Sequence, residues 1–283
     1  MKNRFLQKDD ARNRSSLDFN QEDVLSDLTG KKGTLLFLGK YTLKEVLLVL
    51  SRRNFLKDAK KRNLWPLAYA MDSSQFPLQR FQIFYEEESN KNIIVDLKIK
   101  EGTLQSNKNV PKDFPKGHFK FLILEWLTLQ NPIQDFSRER MPLPGQNHPG
   151  LNLGKKVVDV FAYLARISQL DGLIAFPAYF HNALLFSRYF RFLRPEKEAE
   201  VRRIRKVFRN ISFRELAWIV HLSCLKAKDH KVYEWEAEEQ IYPLNKSLKR
   251  YFESKSYRDR VREIRQSLSY SIDWKCYQQK QHP

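Results

Sequence analysis

The stretch GQNHPGLNLGKKVVDVF, residues 145–161, decides which kind of fold this chain has. Three glycines lead into a segment with helical periodicity, and the apolar segment LILEWLTLQ, residues 122–130, precedes them. A strand, a glycine loop and a helix N-terminus together form an anion site, because the first N–H groups of a helix are unpaired and its dipole favours negative charge. The alternative is a glycine-containing turn that binds nothing.

The common phosphate-binding and metal-binding motifs are absent from the sequence. The loop matches neither G-x-x-x-x-G-K-[ST] nor G-x-G-x-x-G. The six histidines are scattered, and H-E-x-x-H and C-x-x-C do not occur, so no metal site is predicted.

The segments around the loop predict a sheet flanked by helices. Three segments rich in β-branched and aromatic residues, 81–88, 92–102 and 119–130, predict neighbouring antiparallel strands, and the third is apolar on both faces, as in a central strand. Thr42 and Glu45 predict a capping box at the start of a helix over residues 42–62.

The second half of the pattern alternates helices with short strands. Residues 154–172 predict a helix that ends with Gly172 as its C′ glycine. LIAFP predicts a buried strand, HNALLFSRYF a helix and RFLRP a final short strand. From Glu196 onward the pattern is basic and helical, and no strand is expected there.

The predicted fold class is α+β, with a mixed, mostly antiparallel central sheet and flanking helices. The expected domains are a flexible polar tail (1–30), an α/β domain (31–195) and a basic helical C-terminal extension (196–283).

The net charge of +18 favours an acidic partner: nucleic acid, anionic lipid or a phosphorylated ligand. A lysine-rich background is the alternative. The two cysteines, Cys224 and Cys276, are too few for a disulfide scaffold and predict a reducing compartment. No apolar run is long enough for a membrane span, and the N-terminus lacks the apolar region of a signal peptide, so a cytoplasmic protein is expected.

The order of elements over residues 80–193, together with GLNLGKKVV and HNALLFSRYFRF, resembles the GNAT acyltransferase superfamily. In that fold a central strand separates from its neighbour, and a [QR]-x-x-G-x-[GA] loop binds the pyrophosphate of acetyl-CoA. Here Gly154 matches the last glycine, Asn152 stands at the earlier glycine and Pro149 at the Gln/Arg position. An alignment through Gln146 and Gly150 lengthens the loop.

The resemblance implies acetyl-CoA or another acyl-CoA as co-substrate and an amine as acceptor. The implied cofactor-binding residues are Leu127, Leu129, Gly150, Leu151, Asn152, Leu153, Gly154, Lys155 and Asn182. On the last helix Ser187 stands where many members carry a tyrosine acid, and Arg191 where they carry glycine.

Three residues are candidates for catalysis. Glu125 lies in an apolar strand and would serve as general base, with a buried ion pair to an arginine or an edge-exposed position as the alternative. His148 precedes the glycine loop and would donate to a phosphate or act as base, with a loop histidine of no such role as the alternative. Tyr189 would replace the missing tyrosine acid, with a core tyrosine as the alternative. Asn182 is either a cofactor contact or only an N-cap.

Two functions follow from these patterns. The first is a divergent GNAT-like N-acyltransferase, or a relative that keeps the fold and has lost the chemistry. The alternative is a non-catalytic basic protein that binds nucleic acid or another polyanion through its C-terminal helices, where VRRIRKVFRNISFR interleaves charge with apolar residues.

Overall fold

The computed structural model describes residues 36–105, 110–137 and 141–281. The expected polar tail of residues 1–30 lies outside these ranges. None of the described helices is long and apolar enough to cross a membrane.

The described chain contains nine strands, of which seven form the main sheet. Their bounds are β1 Leu67–Asp72, β2 Gln79–Tyr85, β3 Ile93–Gln105, β4 His118–Leu129, β5 Gly172–Ala175, β6 Arg191–Phe192, β7 Leu225–Lys226, β8 Gln240–Pro243 and β9 Ser271–Ile272. The sheet order is β1-β2-β3-β4-β5-β8-β6, and β4 is its middle strand, as predicted.

The directions of the strands confirm the predicted fold class. The β4–β5 pair is parallel, and the other five neighbouring pairs are antiparallel. β1 was not predicted, because LAYAMD is short and lacks the aliphatic β-branched residues of its neighbours.

Two helices precede the antiparallel strands β1 to β4, α1 Leu43–Arg52 and α2 Phe55–Lys61, and α3 Gly154–Ile167 follows them. The predicted capping box of α1 is confirmed: Thr42 Oγ1 accepts from the Glu45 N–H at 3.3 Å, and Glu45 Oε2 accepts from the Thr42 N–H at 2.9 Å. The apolar stripes of α1 and α3 pack on the sheet around an apolar cavity of about 50 Å³.

Gly172 has a different role from the one predicted. α3 ends at Ile167, and Gln169 takes the left-handed conformation after it, with φ of 57°. Gly172 instead begins β5, where a Cβ atom would lie 2.5 Å from the Tyr242 carbonyl oxygen of β8. This glycine permits close approach of two strands rather than ending a helix.

The chain beyond Glu196 contains strands, contrary to the prediction. After α4 Phe180–Phe186 and β6 come α5 Pro195–Val207 and α6 Phe213–His221, and then β8 enters the main sheet between β5 and β6. Gln240–Pro243 has only four residues, too few for strand periodicity to appear in the sequence. The domain boundary at residue 195 stays a prediction.

The C-terminal helices are α7 Lys246–Glu253, α8 Lys255–Ser267 and α9 Trp274–Gln281. Leu248 and Tyr251 of α7 and Tyr257 of α8 pack in one buried cluster with Phe121 of β4. These two helices therefore cover one face of the sheet.

Cys224 and Cys276 form a disulfide, with Cα atoms 5.7 Å apart, which the sequence did not predict. The two cysteines are 52 residues apart in the sequence. The small β7–β9 sheet brings them together, because it pairs Leu225 with Ile272. The bond joins the residues after α6 to α9.

Candidate functional site

The glycine loop lies beside the end of β4, as its sequence predicted. Gly150 forms an isolated antiparallel bridge with Gln130, and the Leu151 N–H donates to the Leu129 carbonyl at 3.4 Å. Leu151 and Leu153 are buried, each 4% exposed, and anchor the loop from below. Asn152 between them has a φ of 57°, so the backbone turns here in the left-handed conformation that glycine adopts more readily.

The helix that follows begins with open backbone. Gly154 is the first residue of α3, and the N-cap residue Leu153 supplies no side-chain hydrogen bond to the first turn. A Cβ atom built on Gly154 would meet no atom within 4 Å. Gly154 therefore faces open space at a helix start that has no side-chain cap, and such helix starts bind anions through their unpaired N–H groups.

Charged residues around this helix start are mostly paired. Lys155 Nζ lies 2.9 Å from Asp159 Oδ2, and Lys156 pairs with Asp58 of α2. The hydrogen bond and the charge of Asp159 raise the pKa of Lys155, with a smaller contribution from Tyr189. Tyr189 itself lies just after the helix Phe180–Phe186, where its N–H donates to the Phe186 carbonyl at 2.8 Å.

A second feature is the point where β4 leaves β5. The parallel pairing covers only Phe121–Leu124 of β4 and Gly172–Ala175 of β5. Directly after it Glu125 is the extra residue of a β-bulge, since Leu124 pairs with Ile99 of β3 while Trp126 pairs with Lys98. A bulge bends its strand and increases the local twist, so β4 turns away from β5 at this residue.

The bulge leaves part of the β4 backbone facing the gap. The Gln130 N–H donates to Ile94 of β3 at 3.0 Å, whereas the Leu129 carbonyl points the other way, toward Leu151. Alternate residues of an antiparallel strand direct their polar groups to the same side, so those of Leu127 point away from β3 like those of Leu129. Both leucine side chains line the apolar cavity under α1 and α3. These two predicted cofactor residues therefore offer backbone, not side chains, to the gap.

Glu125 is partly buried and ion-paired. Its Oε1 lies 2.6 Å from Lys100 Nζ on β3, and a third of its side chain is exposed. The structure therefore shows an ion pair, one of the alternatives that the sequence left open, with a lysine rather than an arginine as partner.

The remaining predicted residues lie on the loop and on α4. His148 is half-buried and Asn182 is also half-buried, in the first turn of α4. The N-cap of this helix is Tyr179, so the interpretation of Asn182 as an N-cap is wrong. Ser187 Oγ donates to the Ala183 carbonyl at 2.7 Å, a local bond within the α4 segment.

The sequence missed an aromatic and histidine cluster beside the loop, formed by Tyr179, His181, Phe213, Trp218 and His221. The Tyr179 and His181 rings stack with centroids 5.4 Å apart, and His221 lies 5.8 Å from Tyr179. Burial, and to a smaller extent His221, lowers the pKa of His181 to about 4.

This cluster holds the segment that leads into the glycine loop. Trp218 Nε1 of α6 donates to the Pro142 carbonyl at 3.0 Å, and a Cβ atom on Gly145 would lie 2.3 Å from the Tyr179 hydroxyl oxygen. No local sequence signal joins residues this far apart in the chain. Within the described ranges no group of His, Cys, Asp and Glu residues has the arrangement of a metal site.

The mostly antiparallel sheet, the parallel β4–β5 pair that separates at a bulge, and the glycine loop at the start of α3 agree with the GNAT-like fold that the sequence resemblance implies. No protein-family model and no curated protein matches the chain.

Solved structures that resemble it include the AtaT toxin with the C-terminus of the antitoxin AtaR and acetyl-CoA, at a TM-score of 0.28 and 12% identity over 58% of this chain and 81% of that one. A KacT mutant gives a TM-score of 0.29 and 10% identity, over 77% of this chain and 91% of that one. A KacTA–DNA complex gives a TM-score of 0.29 and 14% identity, over 65% of this chain and 95% of that one. At TM-scores this low, the fold assignment rests on the strand order and directions described above.

Proposed function

We propose that this protein is an N-acyltransferase that takes the acyl group from acetyl-CoA or a longer acyl-CoA and transfers it to an amine. The observation that carries the proposal is the gap between β4 and β5, which opens at Glu125 and lies beside the free helix start at Gly154. An extended ligand with a diphosphate at one end and a thioester at the other matches these two features.

The residues of the site would divide the work of acyl transfer. The first N–H groups of α3 would hold the diphosphate. The backbone polar groups of Leu127 and the N–H of Leu129 would bind the extended arm, because the Leu129 carbonyl already accepts from Leu151. An N–H group of β4 at the gap would stabilise the oxyanion that forms when the amine attacks the thioester carbonyl.

Proton transfers would complete the reaction. Glu125 would take a proton from the attacking amine as the C–N bond forms. As the C–S bond breaks, Tyr189 would donate a proton to the leaving thiolate. For Glu125 to act in this way, its ion pair with Lys100 must open or must hold the carboxylate in place while it accepts the proton.

Binding is tested first, by thermal shift with acetyl-CoA and longer acyl-CoAs. A ligand that binds the folded state raises its apparent stability by mass action. Gly154→Glu places a negative charge a few ångströms from the phosphates, which costs about 4 kcal/mol at an effective dielectric constant of about 20. That cost lowers affinity by about three powers of ten, while the acidic residue suits the first turn of α3.

The matched control is Gly154→Ala, which adds a methyl group to space that is empty in the structure. We expect acyl-CoA to stabilise the wild type and Gly154→Ala but not Gly154→Glu. If no acyl-CoA stabilises the wild type at millimolar concentration, the proposed function is wrong.

The role of Glu125 is tested by the acyl-transfer rate with the amine that supports turnover. We expect Glu125→Gln to lower kcat by about 10²–10⁴, the usual contribution of a general base. Glu101→Gln is the control, because Glu101 also lies on this sheet in an ion pair, with Lys40 at 2.6 Å. An unchanged rate in Glu125→Gln would remove Glu125 from the base role.

A further inference from the structure

A basic surface lies at the edge of the sheet where β4 and β5 begin. Eight exposed cations form it, from the loop before β4, the start of β4, α7 and α8. We call it the basic face: Lys112, Lys116, Lys120, Lys246, Lys249, Arg250, Lys255 and Arg258. None of the proposed acyl-transfer residues belongs to it.

Side-chain contacts make this surface continuous. The Ser256 hydroxyl of α8 donates to Asp113, and the Phe114 ring lies 5.3 Å from the Tyr251 ring of α7. At the other end Asp171 accepts from the Lys120 N–H at 2.8 Å and from Asn245, the N-cap of α7, at 2.7 Å. The loop before β4 therefore lies along the helix pair.

The charge of the basic face is not balanced within the described chain. None of its eight cations takes part in the ion pairs found among the described residues. Four carboxylates lie close to these cations, Asp113, Asp171, Glu253 and Asp259, and Asp259 pairs with Arg262 instead of with a cation of the basic face. Eight positive charges therefore face four negative ones. This excess of positive charge attracts a polyanion.

The chemistry of the surface selects among polyanions. Helices that lie stably in a membrane surface combine basic residues with exposed apolar side chains that insert among the lipids. Binding of single strands relies on exposed aromatic rings that stack on bases. The large exposed apolar side chains of the described ranges, such as Trp65 and Trp126, lie elsewhere, and none belongs to the basic face.

We propose that the basic face binds the phosphate backbone of double-stranded nucleic acid without sequence preference. It lies at the opposite end of β4 from the glycine loop, and the ten steps along the chain from Lys120 to Gln130 span roughly 30 Å at the usual rise of a strand. Binding at this surface is therefore separable from acyl-CoA binding.

The test is fluorescence anisotropy with a labelled 20-base-pair duplex, made as DNA and as RNA, over a series of NaCl concentrations. The wild type should bind both, with affinity that falls steeply with salt. The triple reversal Lys249→Glu, Arg250→Glu and Arg258→Glu should weaken binding more than tenfold. It should also reduce the slope of log K against log salt by about 2.7, at about 0.9 for each phosphate that these side chains no longer neutralise.

The control reverses three exposed lysines outside the basic face, Lys44, Lys57 and Lys61, and so makes the same change in net charge. It should weaken binding less than twofold. Replacement of Lys249, Arg250 and Arg258 by Gln covers the case in which the reversal fails to fold, and circular dichroism checks each variant.

Three outcomes would overturn the proposal. The first is no duplex binding by the wild type at 50 mM NaCl, and the second is an equal loss in the control, which would mean that net charge alone binds the duplex. The third is that the wild type sediments with phosphatidylserine vesicles and does not bind the duplex. Because acyl-CoA stabilisation of the triple reversal is measured in parallel, failure here is distinct from failure of the proposed acyltransferase function.

Discussion

The buried histidine beside the glycine loop should make folding stability depend on pH. His181 is only 3% exposed, and the rings of Tyr179 and Phe213 lie against it. Burial, with a smaller contribution from His221, lowers the pKa of His181 from 6.5 to about 4 in the folded protein. In the unfolded chain the pKa returns to about 6.5.

The sign of the effect follows from proton binding. Between pH 6.5 and 4 the unfolded state binds the proton at His181 and the folded state does not, so protonation favours unfolding. The full stabilisation is present above pH 6.5 and is lost as the pH falls toward 4. The fall in the pKa of His181 from 6.5 to about 4, at 1.36 kcal/mol for each pH unit, corresponds to about 3 kcal/mol of unfolding free energy.

The assay is urea unfolding followed by circular dichroism between pH 7.5 and 4.5, comparing the wild type with His181→Gln. Carboxylates titrate in both proteins, so the difference between their unfolding free energies isolates His181. That difference should shrink by up to about 3 kcal/mol as the pH falls. His221→Gln is the control and should keep most of the pH dependence, since burial is the larger cause. A difference that stays constant over this range would refute the reasoning.

Two further changes test the packing of the chain. Mutation of both Cys224 and Cys276 to Ala opens a loop of 52 residues, and the loop-closure estimate gives a loss of about 4 kcal/mol in unfolding free energy. Urea unfolding of the wild type should show the same loss when dithiothreitol reduces the disulfide. If dithiothreitol leaves the wild-type midpoint unchanged, and a thiol assay finds two free thiols in the untreated protein, the disulfide is contradicted. Gly172→Ala should destabilise by about 1–3 kcal/mol in the same assay, because its Cβ would meet the Tyr242 carbonyl oxygen, whereas Gly154→Ala should be nearly neutral. Equal midpoints for the two alanine variants would mean that β8 moves away at little cost.

Local signals in the sequence predicted the central part of the fold. The capping box of Thr42 and Glu45 and the apolar segment 119–130 each depend on neighbouring residues, and both appear in the structure as predicted. The position of the glycine loop at a helix start beside β4 was predicted for the same reason. The catalytic and binding roles assigned to the residues around this loop remain predictions.

Features that depend on distant residues could not be predicted in this way. Gly172 follows a helical pattern and so looked like a helix-ending glycine. Its contact with β8 involves a strand some 70 positions later, so no neighbouring residue indicates it. The disulfide and the contact between Trp218 and Pro142 likewise join segments that only the folded chain brings together. In the sequence, the bulge at Glu125 is visible only as an acidic residue in an apolar strand. The sequence does not indicate from which neighbouring strand β4 separates there.

The position of β8 has a consequence for how the protein folds during synthesis. β5 pairs with β4 on one side and needs Gln240–Pro243 on the other, so its second edge stays unpaired until those residues leave the ribosome. An apolar strand with an open edge is prone to pair with another chain. Contacts that must wait for distant sequence also slow folding. Chains that stop before residue 240 should therefore aggregate rather than accumulate as a shorter, soluble form.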